Sequence, residues 1–258
     1  MREYQSKIFS GKVALVTGGS RGIGRAISLD LAAHGTDIAI SYLRNDAAAG
    51  LTAQNVRRLG RKILAVKMNL REVEDIRLLF RKIKERYGRL DYLIHCAAVG
   101  IFRPILELNS IQIDHVLEAN VKAFVLCAQE ASKVMRKGGK IIALSSLGSH
   151  RYFEDYGSMG MAKASVEAAV RYLAVELAGK GIQVNAVSAG PVDTDSIKAF
   201  SSYERRRAET IALTPTRRIA VPDDIAGIIT FLCTPKSGWI TGQTILADGG
   251  LSLPVTKC

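Results

Sequence analysis

A tyrosine and a lysine seven residues apart, Tyr156 and Lys163, are the side chains of this sequence best suited by type and spacing to act together. At about 100° per residue that interval is nearly two turns, so on a helix both leave one face, about 10 Å apart along the axis. A phenol can donate a hydrogen bond to an oxygen that gains negative charge during a reaction. An anion-binding element comes much earlier in the chain. Thr17-Gly18-Gly19-Ser20-Arg21-Gly22-Ile23-Gly24 follows an apolar run and opens a helical pattern. Glycines at 18, 22 and 24 permit a tight strand-to-helix turn and let the backbone approach a pyrophosphate, to which the helix N-terminus offers free N–H donors.

The rest of the chain reads as the framework for these two sites. Short β-branched runs at 12–17, 37–42, 63–67, 90–95, 140–145, 182–188 and 243–247 predict strands. Helical patterns at 22–34, 46–59, 72–87, 110–136, 154–178 and 222–233 alternate with them. Such alternation predicts an α/β fold, a parallel sheet with helices on both faces. Asp46 and Ser110 suit helix N-caps, and Gly35 and Gly60 suit left-handed C-terminal positions. Residues 189–221 read as one long irregular segment, the place to expect a lid or substrate-binding loop.

Composition limits the class. The chain has 258 residues, 48% of them hydrophobic, with 36 Lys+Arg against 24 Asp+Glu and a formal charge of +12. These figures exclude a disordered or collagen-like polymer and predict a single domain over residues 1–258. No apolar run is long enough to cross a bilayer and the first ten residues lack a secretory signal, so the expected location is cytoplasmic, without membrane association. Four scattered cysteines, Cys96, Cys127, Cys233 and Cys258, form no CxxC pair, which argues for reduced thiols and against a zinc site; no metal is expected. The positive charge invites a nucleic-acid reading, but there is no recognition motif and the only stacking groups are eight Tyr, seven Phe and one Trp. No nucleic-acid partner is expected.

The GxxxGxG spacing of TGGSRGIG resembles the cofactor motif of the short-chain dehydrogenase/reductase superfamily, and the resemblance extends over nearly the whole chain. It implies a single NADP-binding Rossmann domain with a seven-stranded parallel sheet and a nicotinamide cofactor. The superfamily's usual signature is Ser, then Tyr thirteen residues on, then Lys four further. Counting back from Lys163, those places hold Ser146 and Met159. The tyrosine instead stands at 156, one turn further from the lysine. Carbonyl reduction needs a donor on the oxygen of the carbon that receives hydride. In conjugate reduction of an enoyl thioester, hydride goes to the β-carbon while charge develops on the thioester oxygen, so the donor sits farther away.

The Tyr-x6-Lys dyad resembles that of the enoyl-acyl carrier protein reductases, and the similarity continues through YGSMGMAKASVEAAVRYLAVELAGKGIQVNAVSAGPVDT and TPTRR…ITGQTILADGG. With its unaltered glycine turn and the segment SSLGSHRYFEDY, the chain is most similar to the third type, enoyl reductase III. The resemblance implies that Tyr156 stabilises the enolate. It also implies that Lys163 holds the nicotinamide ribose and eases donation by Tyr156. Tyr152, expected one helical turn before Tyr156, either lines the acyl site or packs; Ser146 can orient substrate. Gly190, Val192 and Thr194 in the Gly-Pro turn after a strand are implied beside the carboxamide, with Val192 contacting it through its backbone. Asn120 stands where the superfamily has an Asn that supports a proton-relay water near the lysine. Ala97 lies in His95-Cys96-Ala97-Ala98, where the superfamily has NNAG, and His95 is expected to pack.

The choice of nicotinamide follows from charge. A site selective for the unphosphorylated dinucleotide places an acid at the end of the second strand, whereas Ile40-Ser41-Tyr42-Leu43-Arg44-Asn45 has none. Arg21 and Arg44 can converge on a 2′-phosphate, so NADPH is expected. The basic run Arg205, Arg206 and Arg207 falls in the segment that should cover the substrate, where it would steer an acidic acyl carrier protein. The resemblance implies a homotetramer paired through the 110–136 and 154–178 helices. The competing readings are a carbonyl reductase of the same superfamily and a catalytically silent NADP-binding or scaffold protein.

Overall fold

The computed structural model describes residues 8–198 and 203–253; Cys258 lies outside the described residues. Seven strands, β1 (Val13–Thr17), β2 (Asp37–Tyr42), β3 (Ile63–Lys67), β4 (Leu90–His95), β5 (Met135–Ser146), β6 (Gln183–Ala189) and β7 (Thr244–Ala247), form one parallel sheet in the order β3-β2-β1-β4-β5-β6-β7. Helices α1 (Gly22–Ala33), α2 (Asp46–Arg58), α3 (Val73–Tyr87), α4 (Ser110–Leu117), α5 (Ala123–Val134), α6 (Gly157–Ala178), α7 (Asp195–Lys198), α8 (Tyr203–Leu213) and α9 (Pro222–Cys233) make the connections. The sheet is buried on both faces, which explains its near-continuous apolar strands. On one face Leu15, Leu93 and Ile141 pack with Leu79, Phe124 and Val170; on the other Val16, Ile40 and Ile94 pack with Ile27, Leu31 and Ile229. Strand order reverses beside β1, opening a crevice at the carboxyl ends of β1 and β4. Among the described residues no helix is long and apolar enough to cross a membrane.

Five expectations are corrected. The 189–221 segment is not irregular, since it carries α7 and α8. α8, YERRRAETIAL, is built from good helix formers but buries none of its residues, so it has no apolar stripe for a periodicity reading to find. The predicted 110–136 helix is interrupted at Glu118–Lys122 by a π-helical turn and ends at Val134, where β5 begins. The predicted 154–178 helix starts only at Gly157, because Asp155 takes a left-handed φ of 62° that no helix accommodates. The N-caps fall one residue earlier than Asp46 and Ser110. Asn45 accepts from the Ala48 N–H at 2.8 Å, and Asn109 forms a reciprocal capping box with Gln112. Gly35 and Gly60 do adopt the left-handed conformation, with φ of 99° and 73°.

Candidate active site

At the tip of β1 the glycine turn is shaped by contacts that only hydrogen allows. A Cβ on Gly18 would stand 3.0 Å from the Ala97 Cα, one on Gly19 2.5 Å from the Ile40 Cγ2, and one on Gly24 would overlap the Gly18 carbonyl. The Thr17 hydroxyl accepts from the Cys96 and Ala97 N–H groups, both at 3.1 Å, and so joins the β1 and β4 tips. Because those two donors occupy its oxygen, the Thr17 proton is directed to His95 Nδ1 at 3.2 Å. His95 is buried and its proton affinity is pushed down to about 3 by burial and by the charge of Lys163. It packs at 5.4 Å against Phe124 as a neutral ring, which is the role expected of it.

The first turn of α1 has no side-chain cap, so its N–H groups are left for an anion. It opens onto a cleft of about 2430 Å³ that runs along the carboxyl edge of the sheet. Gly18, Ser20, Arg21, Gly22, Ile23, Gly24, Arg44 and Ala97 line one end, and Ser146, Tyr152, Tyr156, Lys163, Gly190, Val192 and Thr194 line the rest. Asn120 does not reach the cleft. It is 1% exposed in the π-turn, donating at 2.8 Å to both the Val99 and Val116 carbonyls while its Oδ1 has no partner. It thus braces the loop that forms the cleft wall.

A nicotinamide dinucleotide fits the residues present. The uncapped helix terminus suits its pyrophosphate, and the Gly18–Ala97 contact leaves a flat floor. At the adenosine end, the β2 tip borders the cleft with Ser41, Tyr42, Leu43, Arg44 and Asn45 and supplies no carboxylate. The nearest acid, Asp46, is held by Tyr42 at 3.0 Å and Lys67 at 2.7 Å. The Ser41 hydroxyl, a group the sequence reading had not singled out, is buried there without a hydrogen-bond partner.

Tyr156 and Lys163 meet at the tip of β5. Tyr156 is the N-cap residue of α6; its carbonyl accepts the first helical bond, from the Gly160 N–H at 2.8 Å. The helical phase assumed from the spacing therefore begins at the cap itself. The Tyr156 ring lies 5.8 Å from Phe102 and 6.2 Å from Phe153, and a Cβ on Gly148 would overlap it. Burial pushes the phenol above its ordinary value, and a hydrogen bond with the Ser146 hydroxyl acts the other way. Ser146 itself accepts from the Gly148 N–H at 3.3 Å, which leaves its proton for Tyr156. Lys163 is 6% exposed and donates to the Leu144 carbonyl at 2.7 Å. Burial pushes its ammonium down to about 8, against the pull of Cys96 and Glu167. Met159, where the usual tyrosine would stand, is packed with Val116 and Ala162 and touches no polar partner among these.

Tyr152 is not one helical turn before Tyr156. The stretch between them is a turn closed by the Tyr156 N–H on the Phe153 carbonyl at 3.1 Å, and Tyr152 is 89% exposed at the cleft rim. Within the chain it is therefore not a packing residue. Of the basic run, Arg205 faces Glu209 at 4.0 Å and Arg206 faces Glu154 at 3.7 Å, so neighbouring acids offset part of that charge. Val192 bridges to Ala220, and the Thr194 side chain stands across the cleft, 3.5 Å from where a Gly22 Cβ would be. Phe102, Gly148 and Gly160 escaped sequence reading, since each matters only through a contact with another segment, and Phe153 escaped it because the local turn that brings it to Tyr156 was read as helix.

Residues 18–252 match a family model described as enoyl-(acyl carrier protein) reductase. A 1-cyclohexenylcarbonyl-CoA reductase from Streptomyces collinus is 40% identical over 94% of this chain and 87% of its own length. A hydroxynaphthalene reductase-like protein from Metarhizium anisopliae is 32% identical over 96% and 97%. A short-chain dehydrogenase from Burkholderia cenocepacia, solved in complex with NADP, superposes with a TM-score of 0.87 at 30% identity, covering 95% of this chain and 99% of its own.

Proposed function

The chain belongs to the short-chain dehydrogenase/reductase superfamily, a family of nicotinamide-dependent oxidoreductases, and on that premise we propose that it reduces the trans-2 double bond of an enoyl thioester with NADPH, as in fatty acid elongation. The observation that carries this reading is the placement of the acid: Tyr156 caps α6 beside Ser146, while apolar Met159 fills the place nearer Lys163. When bound, NADPH supplies the hydride. Gly18, Ser20, Gly22, Ile23 and Gly24 bind its pyrophosphate, Arg21 and Arg44 its 2′-phosphate, and Ala97, Gly190, Val192 and Thr194 enclose its nicotinamide end. Lys163 holds the ribose. Tyr156 donates a hydrogen bond to the thioester oxygen and stabilises the enolate that forms as the β-carbon gains hydride; a proton taken from solvent at the α-carbon completes the reduction. Phe102 and Phe153 flank the phenol with apolar rings.

The carrier of the acyl group is proposed to be acyl carrier protein, and the assembly a homotetramer in the cytoplasm. The relative that acts on a CoA thioester supports enoyl chemistry and makes CoA the alternative carrier. A second reading, carbonyl reduction, is favoured by Ser146 and Tyr156 lining the same cleft, since a Ser–Tyr pair is also what a keto group would need.

One experiment separates these. Oxidation of NADPH and of NADH is followed with crotonyl and acetoacetyl thioesters, each on acyl carrier protein and on CoA, for wild type and Tyr156→Phe. Turnover of crotonyl thioester with NADPH, falling on the order of 10²–10⁴-fold in the variant, is expected. Turnover of acetoacetyl thioester alone would replace enoyl by carbonyl reduction, and turnover of neither would favour a silent binding protein.

A further inference from the structure

Two consecutive residues of β5 hold successive turns of α6. The Leu144 carbonyl accepts from Lys163, and the Ser145 hydroxyl donates to the carboxylate of Glu167. Side chains alternate along a strand, so Ser145 leaves the sheet on the opposite face from Leu144 and Ser146, and it too borders the cleft. Its partner Glu167 lies four residues beyond Lys163, the next position on the same helical face. Ser145 is buried and Glu167 half-buried, so the bond is closed to water at its hydroxyl end. The groups acting electrostatically on Lys163 come from two elements. From β4 and its end come His95, a neutral ring, and Cys96, whose thiol burial pushes up to about 11; from α6 comes Glu167. Tyr156, at the start of α6, is also kept as the neutral phenol by burial. Glu167 is the carboxylate of the set.

We propose that Glu167 is the positioning residue of the catalytic pair: anchored by Ser145, it sets the register of α6 on β5 and places a carboxylate one helical turn beyond Lys163. The proposal rests on Lys163 acting as an ammonium in the reaction described above. Its removal separates two effects. Glu167→Gln keeps a hydrogen-bond acceptor for Ser145 but discards the charge; Ser145→Ala discards the anchor but keeps the charge.

The test is the titration of Lys163 itself, read by NMR in protein carrying ¹³C at the lysine Cε, with the signal assigned by its loss in Lys163→Met. In Glu167→Gln the midpoint is expected to fall by about half a pH unit or more, the scale of one charge at short range in a partly exposed setting. The alkaline limb of NADPH-dependent turnover should fall with it. In Ser145→Ala kcat is expected to drop at every pH while the midpoint moves less. An unchanged midpoint in Glu167→Gln, or equal movement in both variants, overturns the proposal. Because the titration needs no substrate, it stays readable if the enoyl-thioester assignment fails.

Discussion

Lys163 sits where an ammonium is least comfortable, with one carbonyl as partner and its proton affinity lowered from 10.5 to about 8 by burial. Function and stability then respond to pH in opposite directions. Turnover that needs the ammonium should decline as pH rises through about 8. For folding, below about 8 the group is charged in both states and the full burial cost applies. Between about 8 and 10.5 the folded protein has shed a proton that the unfolded chain keeps, so stability from this group rises with pH. Lys163→Met should therefore be inactive yet more stable than wild type at neutral pH, by up to on the order of 3 kcal/mol, with the gap closing above about pH 10. Urea denaturation at the two pH values checks this; a less stable variant at neutral pH would refute it. His95 shows the opposite case, a titratable residue made inert by complete burial.

Elements decide how near the phenol comes to the rest of the site. α6 starts at Gly157 and approaches β5 so closely that a Cβ on Gly160 would stand 2.7 Å from the Gly148 carbonyl, and one on Gly148 would strike the Tyr156 ring. Neither glycine has a left-handed φ, so close approach is the reason for each. Gly148→Ala and Gly160→Ala should each lower kcat about tenfold or more by displacing the phenol, with a smaller effect on NADPH binding at the far end of the cleft. Equal losses in cofactor affinity would mean that the whole sheet edge had moved. The segment between β6 and α9 also changes character at this scale. As two helices it presents a defined wall, and the Arg206–Glu154 ion pair joins α8 to the loop that carries Tyr152.

On the scale of the whole molecule, ion pairs such as Arg61–Asp37, Arg71–Glu118 and Arg218–Asp224 cancel their own charge, so the formal excess of +12 resides in the cations outside such pairs. What remains at the cleft mouth includes Arg151 and Arg217, which donate to main-chain carbonyls instead of to acids. An acidic carrier would meet these two as readily as the 205–207 run. The proposed tetramer has its own signature, since Tyr172 and Val175 on α6 are 72% and 79% exposed in the single chain. Tyr172→Asp combined with Val175→Asp should yield a smaller species by light scattering. An unchanged mass would remove α6 from the interface.

Fold class, sheet content and the cofactor turn were legible in the sequence because they rest on local rules: alternating periodicities, glycine spacing and the absence of an acid after β2. The place of Lys163 on the helix after β5 was legible too, whereas Tyr156 proves to be the cap of that helix and not a residue inside it. Element ends were less so. The start of α6 at Gly157 depends on the left-handed turn at Asp155, and the break in the 110–136 helix on the π-turn around Asn120. Contacts between distant segments were decided by tertiary structure alone, because a strand tip and a helix face meet only after the sheet forms. Those contacts put Phe102 beside the phenol, Gly148 beneath it, and Ser145 against Glu167 behind the lysine.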